Sequence, residues 1–164
     1  MSTPTLRLAT LSDCEAIHDI YNYYVIHSTC TYQTEPDPIE VRRAWFTSRG
    51  PEHPVIVAEV DGRVVGWGSL SRFHQRAAYA RTVETAVYID HKQRGRGIGR
   101  AIATDLIDRA VALNHHTIIA LVSAEQAGSL ALHEKLGFKP AGRLSQAGYK
   151  FDQWLDVVYL QKML

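Results

Sequence analysis

Cysteine, net charge and long apolar runs are all scarce in this chain, and each scarcity removes a class of function. Only Cys14 and Cys30 occur among 164 residues, too few for a disulfide framework and without a Cys-x-x-Cys spacing. Both read as buried apolar residues. Lysine and arginine total 18 against 17 aspartates and glutamates, a formal net charge of +1. The broad basic footprint of a nucleic-acid binder is therefore missing, no nucleic-acid partner is expected, and any anion must be held locally. Eight histidines, His115 and His116 among them, lack a ligand spacing such as His-Glu-x-x-His, so no metal is expected. Met1 to Thr10 has one arginine and no hydrophobic stretch. Neither a leader nor a membrane association is expected, and the cytoplasm is the default compartment.

What is present, 46% hydrophobic and 21% charged residues, suits one globular domain over residues 1–164 with its own core. Leu6-Arg7-Leu8 alternates as a short strand, and Ser12 or Asp13 can cap a helix that buries Ile17, Ile20, Tyr21 and Tyr24. Past the turn-rich Thr34-Glu-Pro-Asp-Pro, a second helical pattern around Val41 to Phe46 ends at Arg49-Gly-Pro. Val55 to Val60 and Val64 to Leu70 flank Asp61-Gly62, a strong hairpin signal. Arg81 to Ile89 reads as a strand, Ile98 to Leu113 as an amphipathic helix, and Thr117 to Val122 as a buried strand. Gln126 to Leu136 reads as a short helix closed by a left-handed Gly137, and Leu155 to Leu160 as a last strand. The order, without linker or repeat, indicates a mixed α/β fold.

The most informative local feature is Arg94-Gly95-Arg96-Gly97-Ile98-Gly99-Arg100, set between a strand and a helix. Glycines there admit a ligand close to the backbone and expose N–H groups at a helix start, and three guanidinium groups suit phosphate oxygens. A flexible turn with solvated arginines is the plain alternative. The spacing fits neither a dinucleotide fingerprint, which wants Gly-x-Gly-x-x-Gly and an acidic residue about 20 positions on, nor a P-loop, which wants Gly-Lys-Ser/Thr.

Arg94-x-x-Gly97-x-Gly99 resembles the pyrophosphate loop of the GCN5-related N-acetyltransferase superfamily, and Gln126 to Phe138, ending in Leu-Gly-Phe, resembles its second CoA-contacting helix. Further blocks are similar to the phosphinothricin and methionine sulfone acetyltransferase branch: Ile20-Tyr-Asn-Tyr-Tyr-Val, Thr34-Glu-Pro, Arg76 to Tyr88 and Gly148 to Asp156. The resemblance runs in order from about Leu6 to Leu160. It implies the acyl-CoA N-acyltransferase fold, a mostly antiparallel twisted sheet flanked by helices. It also implies transfer of an acetyl group from acetyl-CoA to the α-amino group of a small amino-acid-like acceptor, by direct attack in a ternary complex, in a homodimer. Backbone groups of Val87, Tyr88 and Ile89 are then expected to hold the pantetheine arm. The loop Arg94, Gly95, Arg96, Gly97, Ile98, Gly99 and Arg100 is expected to hold the pyrophosphate, with Gln126 and Ser129 nearby. Gln126 stands where the family commonly has Asn, and His91 and Arg94 where Pro and Gln are more usual.

Acetyl transfer to an ammonium needs a base, and Glu84 is the candidate, in an otherwise uncharged strand segment on a face shared with Thr82, Ala86 and Tyr88. On the residues alone a solvated strand glutamate serves as well; the resemblance implies the base. His133 stands where the wider superfamily carries a tyrosine acid and the branch usually a histidine, so it is expected to act on the acceptor or as an acid or base; a satisfied core histidine is the alternative. The acceptor pocket is expected along Phe73, Gln75, Arg76, Ala77 and Tyr79 with Thr85, and Arg76 or Arg81 is available for a carboxylate. Other readings are an acetyltransferase for a protein N-terminus, polyamine or aminoglycoside, a non-catalytic acyl-CoA sensor, and a nucleotide-binding module.

Overall fold

The structure, a computed structural model, describes residues 3–164; Met1 and Ser2, part of the stretch read above for a leader, lie outside the described residues. The elements run β1 (Thr5–Leu8), α1 (Cys14–His27), α2 (Ile39–Thr47), β2 (Val55–Val60), β3 (Arg63–Arg72), β4 (Thr82–Ile89), α3 (Ile98–Ala112), β5 (Thr117–Ser123), α4 (Ala127–Lys135), β6 (Lys139–Lys150) and β7 (Gln153–Met163). The strands form one seven-stranded sheet in the order β1-β2-β3-β4-β5-β7-β6. Every neighbouring pair is antiparallel except β4 and β5. This is the expected mixed α/β fold with a mostly antiparallel sheet.

Strand alternation divides the core between the two faces of the sheet. In β2, Ile56 and Ala58 join a cluster with Ile98, Ile102, Leu106 and Ala110 of α3, while Val55 and Val57 join Ile17, Ile20 and Tyr24 of α1 on the other side. With both faces covered, β2 and β3 read as nearly continuous apolar runs. The i, i+4, i+8, i+12 spacing of the α3 residues lays one stripe on the sheet, each large side chain contributing roughly 1.5–3 kcal/mol on burial. Gly68 of β3 permits that closeness: a Cβ there would lie 2.6 Å from Ile102 Cγ2.

The Asp61-Gly62 turn has both residues at positive φ, 50° and 72°, as a two-residue hairpin requires. Asp13 differs from the expected helix cap. Its carboxylate turns back to the Thr10 N–H at 2.7 Å and to the Arg7 guanidinium, closing a single 3-10 turn over Leu11–Asp13 before α1.

The sequence pattern misses β6 altogether. Most of its residues are exposed and it lies at the sheet edge, with register shifts at Pro140/Gly142 and Leu144/Gly148. Edge strands tolerate proline, bulges and polar residues on both faces, so no alternation marks them. Its hairpin to β7 turns through Phe151 and Asp152, both at positive φ without a glycine.

One irregularity of the sheet positions the main cavity. β4 and β5 pair only from Thr82↔Thr117 to Thr85↔Ala120. Beyond that, β4 stays with β3 as far as Ile89 and β5 stays with β7 as far as Ser123. The two strands part into a notch in the middle of the sheet, with neither facing edge paired to a strand.

Candidate active site

The notch opens into a cavity of about 760 Å³ whose walls are Glu84–Ile89 of β4 and Ala120–Ser123 of β5. Its ends are the loop into α3 and the first turns of α4.

At the α3 end, Gly97 caps the helix at φ 77° and Gly95 has φ 76°, a left-handed conformation that L side chains avoid. The turn aims the N-terminus of α3 at the cavity, where Gly97, Ile98, Gly99 and Arg100 all line it. Amides of a first helical turn have no intrahelical acceptor, and the helix dipole adds positive potential. Arg96 and Arg100 are exposed and make no side-chain hydrogen bond or ion pair among the described residues; Arg100 lines the cavity and Arg96 does not. Arg94 lines it too, but is engaged. Its Nε donates to the Tyr24 hydroxyl at 3.1 Å with the guanidinium over the Tyr24 ring, and that hydroxyl donates to the Ile89 carbonyl.

Along β4, Val83, Val87 and Ile89 face the α3 cluster and Tyr88 packs with the α1 cluster. Alternation puts Glu84 and Ala86 on the Tyr88 face. Glu84 is half-buried, lines the cavity, and makes no side-chain hydrogen bond or ion pair among the described residues. Burial alone pushes its pKa above the usual carboxylate range.

On the opposite wall, His133 is buried within α4 and lines the same cavity. Its Nδ1 lies 2.8 Å from the Ser129 carbonyl, which can only accept, so the proton sits on Nδ1 and leaves Nε2 as the free acceptor. Desolvation lowers the His133 pKa, partly offset by that hydrogen bond, and keeps the ring neutral at neutral pH. The Phe138 ring meets it edge-on at 5.0 Å.

Glu84 and His133 thus share a cavity with Val87, Tyr88, Ile89, Arg94, Gly95, Gly97, Ile98, Gly99, Arg100, Gln126 and Ser129. Of the residues expected to receive the acceptor, Thr85 lines it, while Phe73, Gln75, Arg76, Ala77, Tyr79 and Arg81 lie outside the lining. Phe73 and His74 pack against Tyr79, and Arg81 donates from Nε to the Asn114 carbonyl at 2.8 Å.

The sequence reading does not single out Tyr24, Cys30, Ser123 or Glu125 as site residues, although all four line the cavity. Cys30 is half-buried rather than a core residue; Cys14 is fully buried. Glu125 Oε2 accepts from Thr29 Oγ1 at 3.0 Å, and Thr29 Oγ1 accepts from Gln126 Nε2 at 3.2 Å. The longer side chain at 126 therefore reaches the segment after α1, a partner no local pattern announces. No group of three or more His, Cys, Asp or Glu side chains converges to hold a metal among the described residues. Nor is any helix there long and apolar enough to cross a membrane.

Residues 17–138 match the model of the acetyltransferase (GNAT) family. The chain is 34% identical over 161 residues to an L-methionine sulfoximine/L-methionine sulfone acetyltransferase of Salmonella typhimurium, covering 98% of this chain and 94% of that one. It superposes with a TM-score of 0.96 on a phosphinothricin acetyltransferase of Sinorhizobium meliloti crystallised with acetyl-CoA, at 33% identity and covering 99% and 89% of the two chains. A ribosomal-protein-alanine N-acetyltransferase of Brucella melitensis superposes at 0.95, with 37% identity and coverage of 98% and 99%.

Proposed function

The chain belongs to the acetyltransferase (GNAT) family, and from that premise we propose that residues 1–164 act as one catalytic unit that acetylates the α-amino group of a small amino-acid-like acceptor. The observation that carries this reading is the parting of β4 and β5, which leaves an unpaired strand edge between Glu84 and an arginine-flanked helix start.

The residues fit acetyl-CoA on chemical grounds. The first-turn amides of α3, with Arg100 in the lining and Arg96 exposed just outside it, suit a pyrophosphate. The open edge of Val87 to Ile89 suits the amides of a pantetheine arm. When bound, acetyl-CoA would supply a thioester carbonyl for the amine to attack directly, the C–N bond forming as the C–S bond breaks and CoA leaving as a thiolate that takes up a proton. Glu84, its pKa raised by burial, accepts the proton of the acceptor ammonium. His133 Nε2, held by the bond from Nδ1 to Ser129, is the second proton-handling group of the cleft. The Phe73–Tyr79 loop with Arg76, and Arg81 beyond it, remains the proposed source of the acceptor's carboxylate contact, although all of them lie outside the cavity lining.

A second reading takes a protein N-terminus as acceptor, favoured by the similarity to the Brucella enzyme. The small-amino-acid reading is preferred because an L-methionine sulfoximine/L-methionine sulfone acetyltransferase and a phosphinothricin acetyltransferase match over nearly the whole chain. We further propose a homodimer through the exposed aromatic hairpin of Tyr149, Phe151 and Trp154. The cytoplasm is the proposed compartment, where two free thiols stay reduced.

The test is thiol release from acetyl-CoA with L-phosphinothricin, methionine sulfone, methionine sulfoximine, the common L-amino acids and a peptide beginning with alanine. Release with one or more of the small acceptors and not the peptide is the expected result. Release with the peptide alone would replace the first reading by the second.

A further inference from the structure

Lys150, the last residue of β6, is 3% exposed. A lysine buried to that degree ordinarily has a carboxylate beside it. Among the described residues this one forms no ion pair. Its Nζ donates instead to three backbone carbonyls, those of Ser28 at 2.7 Å, Thr31 at 2.8 Å and Tyr24 at 3.5 Å. Three ammonium protons meet three acceptors, so the cation is satisfied without an anion. The Tyr24 carbonyl belongs to the last turn of α1, where the helix dipole is negative and a cation is favoured.

The segment gathered by this ammonium touches each side of the cleft. Thr29 bonds Glu125 and Gln126 at the start of α4. The Thr31 hydroxyl lies 2.9 Å from that of Tyr21, whose ring meets Tyr88 of β4 edge-on. Tyr32 donates to the Asp156 carbonyl of β7 at 2.6 Å. Cys30, in the middle, lines the cavity. The Tyr24 carbonyl also accepts the Ser28 N–H at 3.0 Å, but the Ser28 and Thr31 carbonyls, turned towards the same point, repel one another unless a cation sits between them, and leaving them unpaired beside a buried side chain is unfavourable.

We propose that Lys150 is a positioning residue for acetyl transfer: its ammonium gathers Ser28–Tyr32 as a strap against the cleft and so fixes the wall on the Tyr88 and Glu84 face of β4, where the acceptor amine has to meet the proposed base. It acts through the strap and touches neither substrate. The proposal rests on the acetyltransferase reading above.

The two cysteines supply the test. Cys14, fully buried at the start of α1, reports global opening, and Cys30 reports the strap. N-ethylmaleimide labelling of each thiol, resolved by peptide mass, is measured on the wild-type protein and on Lys150→Met, which keeps the stem and removes the charge. Affinity for acetyl-CoA and kcat and KM for the acceptor are measured alongside.

Cys30 labelling is expected to quicken by about tenfold or more, the scale of one lost charged hydrogen bond, with Cys14 still protected. Acetyl-CoA affinity should hold within about twofold while acceptor kcat/KM falls by about tenfold or more, as a small misplacement of reacting groups produces. Lys150→Arg, which keeps cationic donors, should restore part of both effects. Equal quickening at both cysteines, unchanged Cys30 labelling, or an Arg variant that behaves like Met would each overturn the proposal. Labelling needs no turnover. An inactive wild-type protein therefore sinks the acetyltransferase reading by itself, while the contrast between Cys30 and Cys14 still decides whether Lys150 holds the strap.

Discussion

The proposed base, Glu84, requires a carboxylate that water solvates poorly and that no cation stabilises; it is half-buried and forms no ion pair among the described residues. Its folded pKa lies above the ordinary 4.5, so the deprotonated form that the proposed base role needs fills in as pH rises through that higher value. The acid limb of kcat/KM should therefore midpoint above 4.5 in the wild-type protein. The stability sign runs the other way. A raised folded pKa gives stability that is full below the unfolded value and lost as pH rises through the folded one. Glu84→Gln removes that loss, so at pH 7 it should unfold at the same temperature as the wild type or higher; a clearly lower one would mean the carboxylate has a structural partner. His133, with its pKa lowered by burial, contributes stability above its unfolded value of 6.5 that is lost as pH falls through the folded value. His133→Gln should flatten the fall in unfolding temperature just below pH 6.5, and an unaltered slope would dismiss a neutral buried imidazole. The sequence singles out both side chains, but only the family resemblance gives them roles, since a solvated glutamate and a core histidine fit the residues alone; the structure places both on the cleft. Tyr24 and Glu125 are not singled out as site residues: one reads as a core aromatic and the other as a surface acid, and only tertiary placement brings them to the cleft.

Two glycines separate the proposed binding role of the α3 start from the packing role of its apolar stripe. Gly97 has open space around its Cβ position, but at φ 77° a side chain costs about 1–2 kcal/mol and would take up cavity space in front of the α3 N-terminus. Gly97→Val should lower the unfolding temperature slightly and weaken acetyl-CoA binding severely; intact affinity in that variant would count against the α3 cradle. Gly68→Val would place atoms within 3 Å of Ile102 and Leu106, overpacking α3 by about 1–3 kcal/mol. It should lower the unfolding temperature more than Gly97→Val, as differential scanning calorimetry would show, and the reverse order would contradict the packing account. Helices and buried strands were readable because apolar spacing records which face is covered. The end of β4–β5 pairing was not, since both strands stay apolar past Thr85 and Ala120 and nothing in their composition says where they part. β6 escaped for the opposite reason: an exposed edge strand has no buried face to leave a pattern.

At the scale of the whole molecule, one sheet carries α1 and α2 on one face and α3 on the other, and its central parting makes an opening between the two cores rather than a pit on the surface. The β6–β7 hairpin stands at the far edge with Tyr149, Phe151 and Trp154 about half or more exposed. If that edge joins two copies, light scattering should report twice the 18.4 kDa chain mass, and Trp154→Glu should return it to one. A wild-type protein that elutes at the single-chain mass would dismiss the dimer without touching the cleft. The cleft itself is tested most directly by measuring acceptor-dependent acetyl transfer and acetyl-CoA affinity together on wild-type protein and Glu84→Gln. The account predicts a wild type that turns over and a Gln variant that binds acetyl-CoA within about twofold while transferring about 10²–10⁴ times more slowly. Equal rates in the two proteins would contradict it.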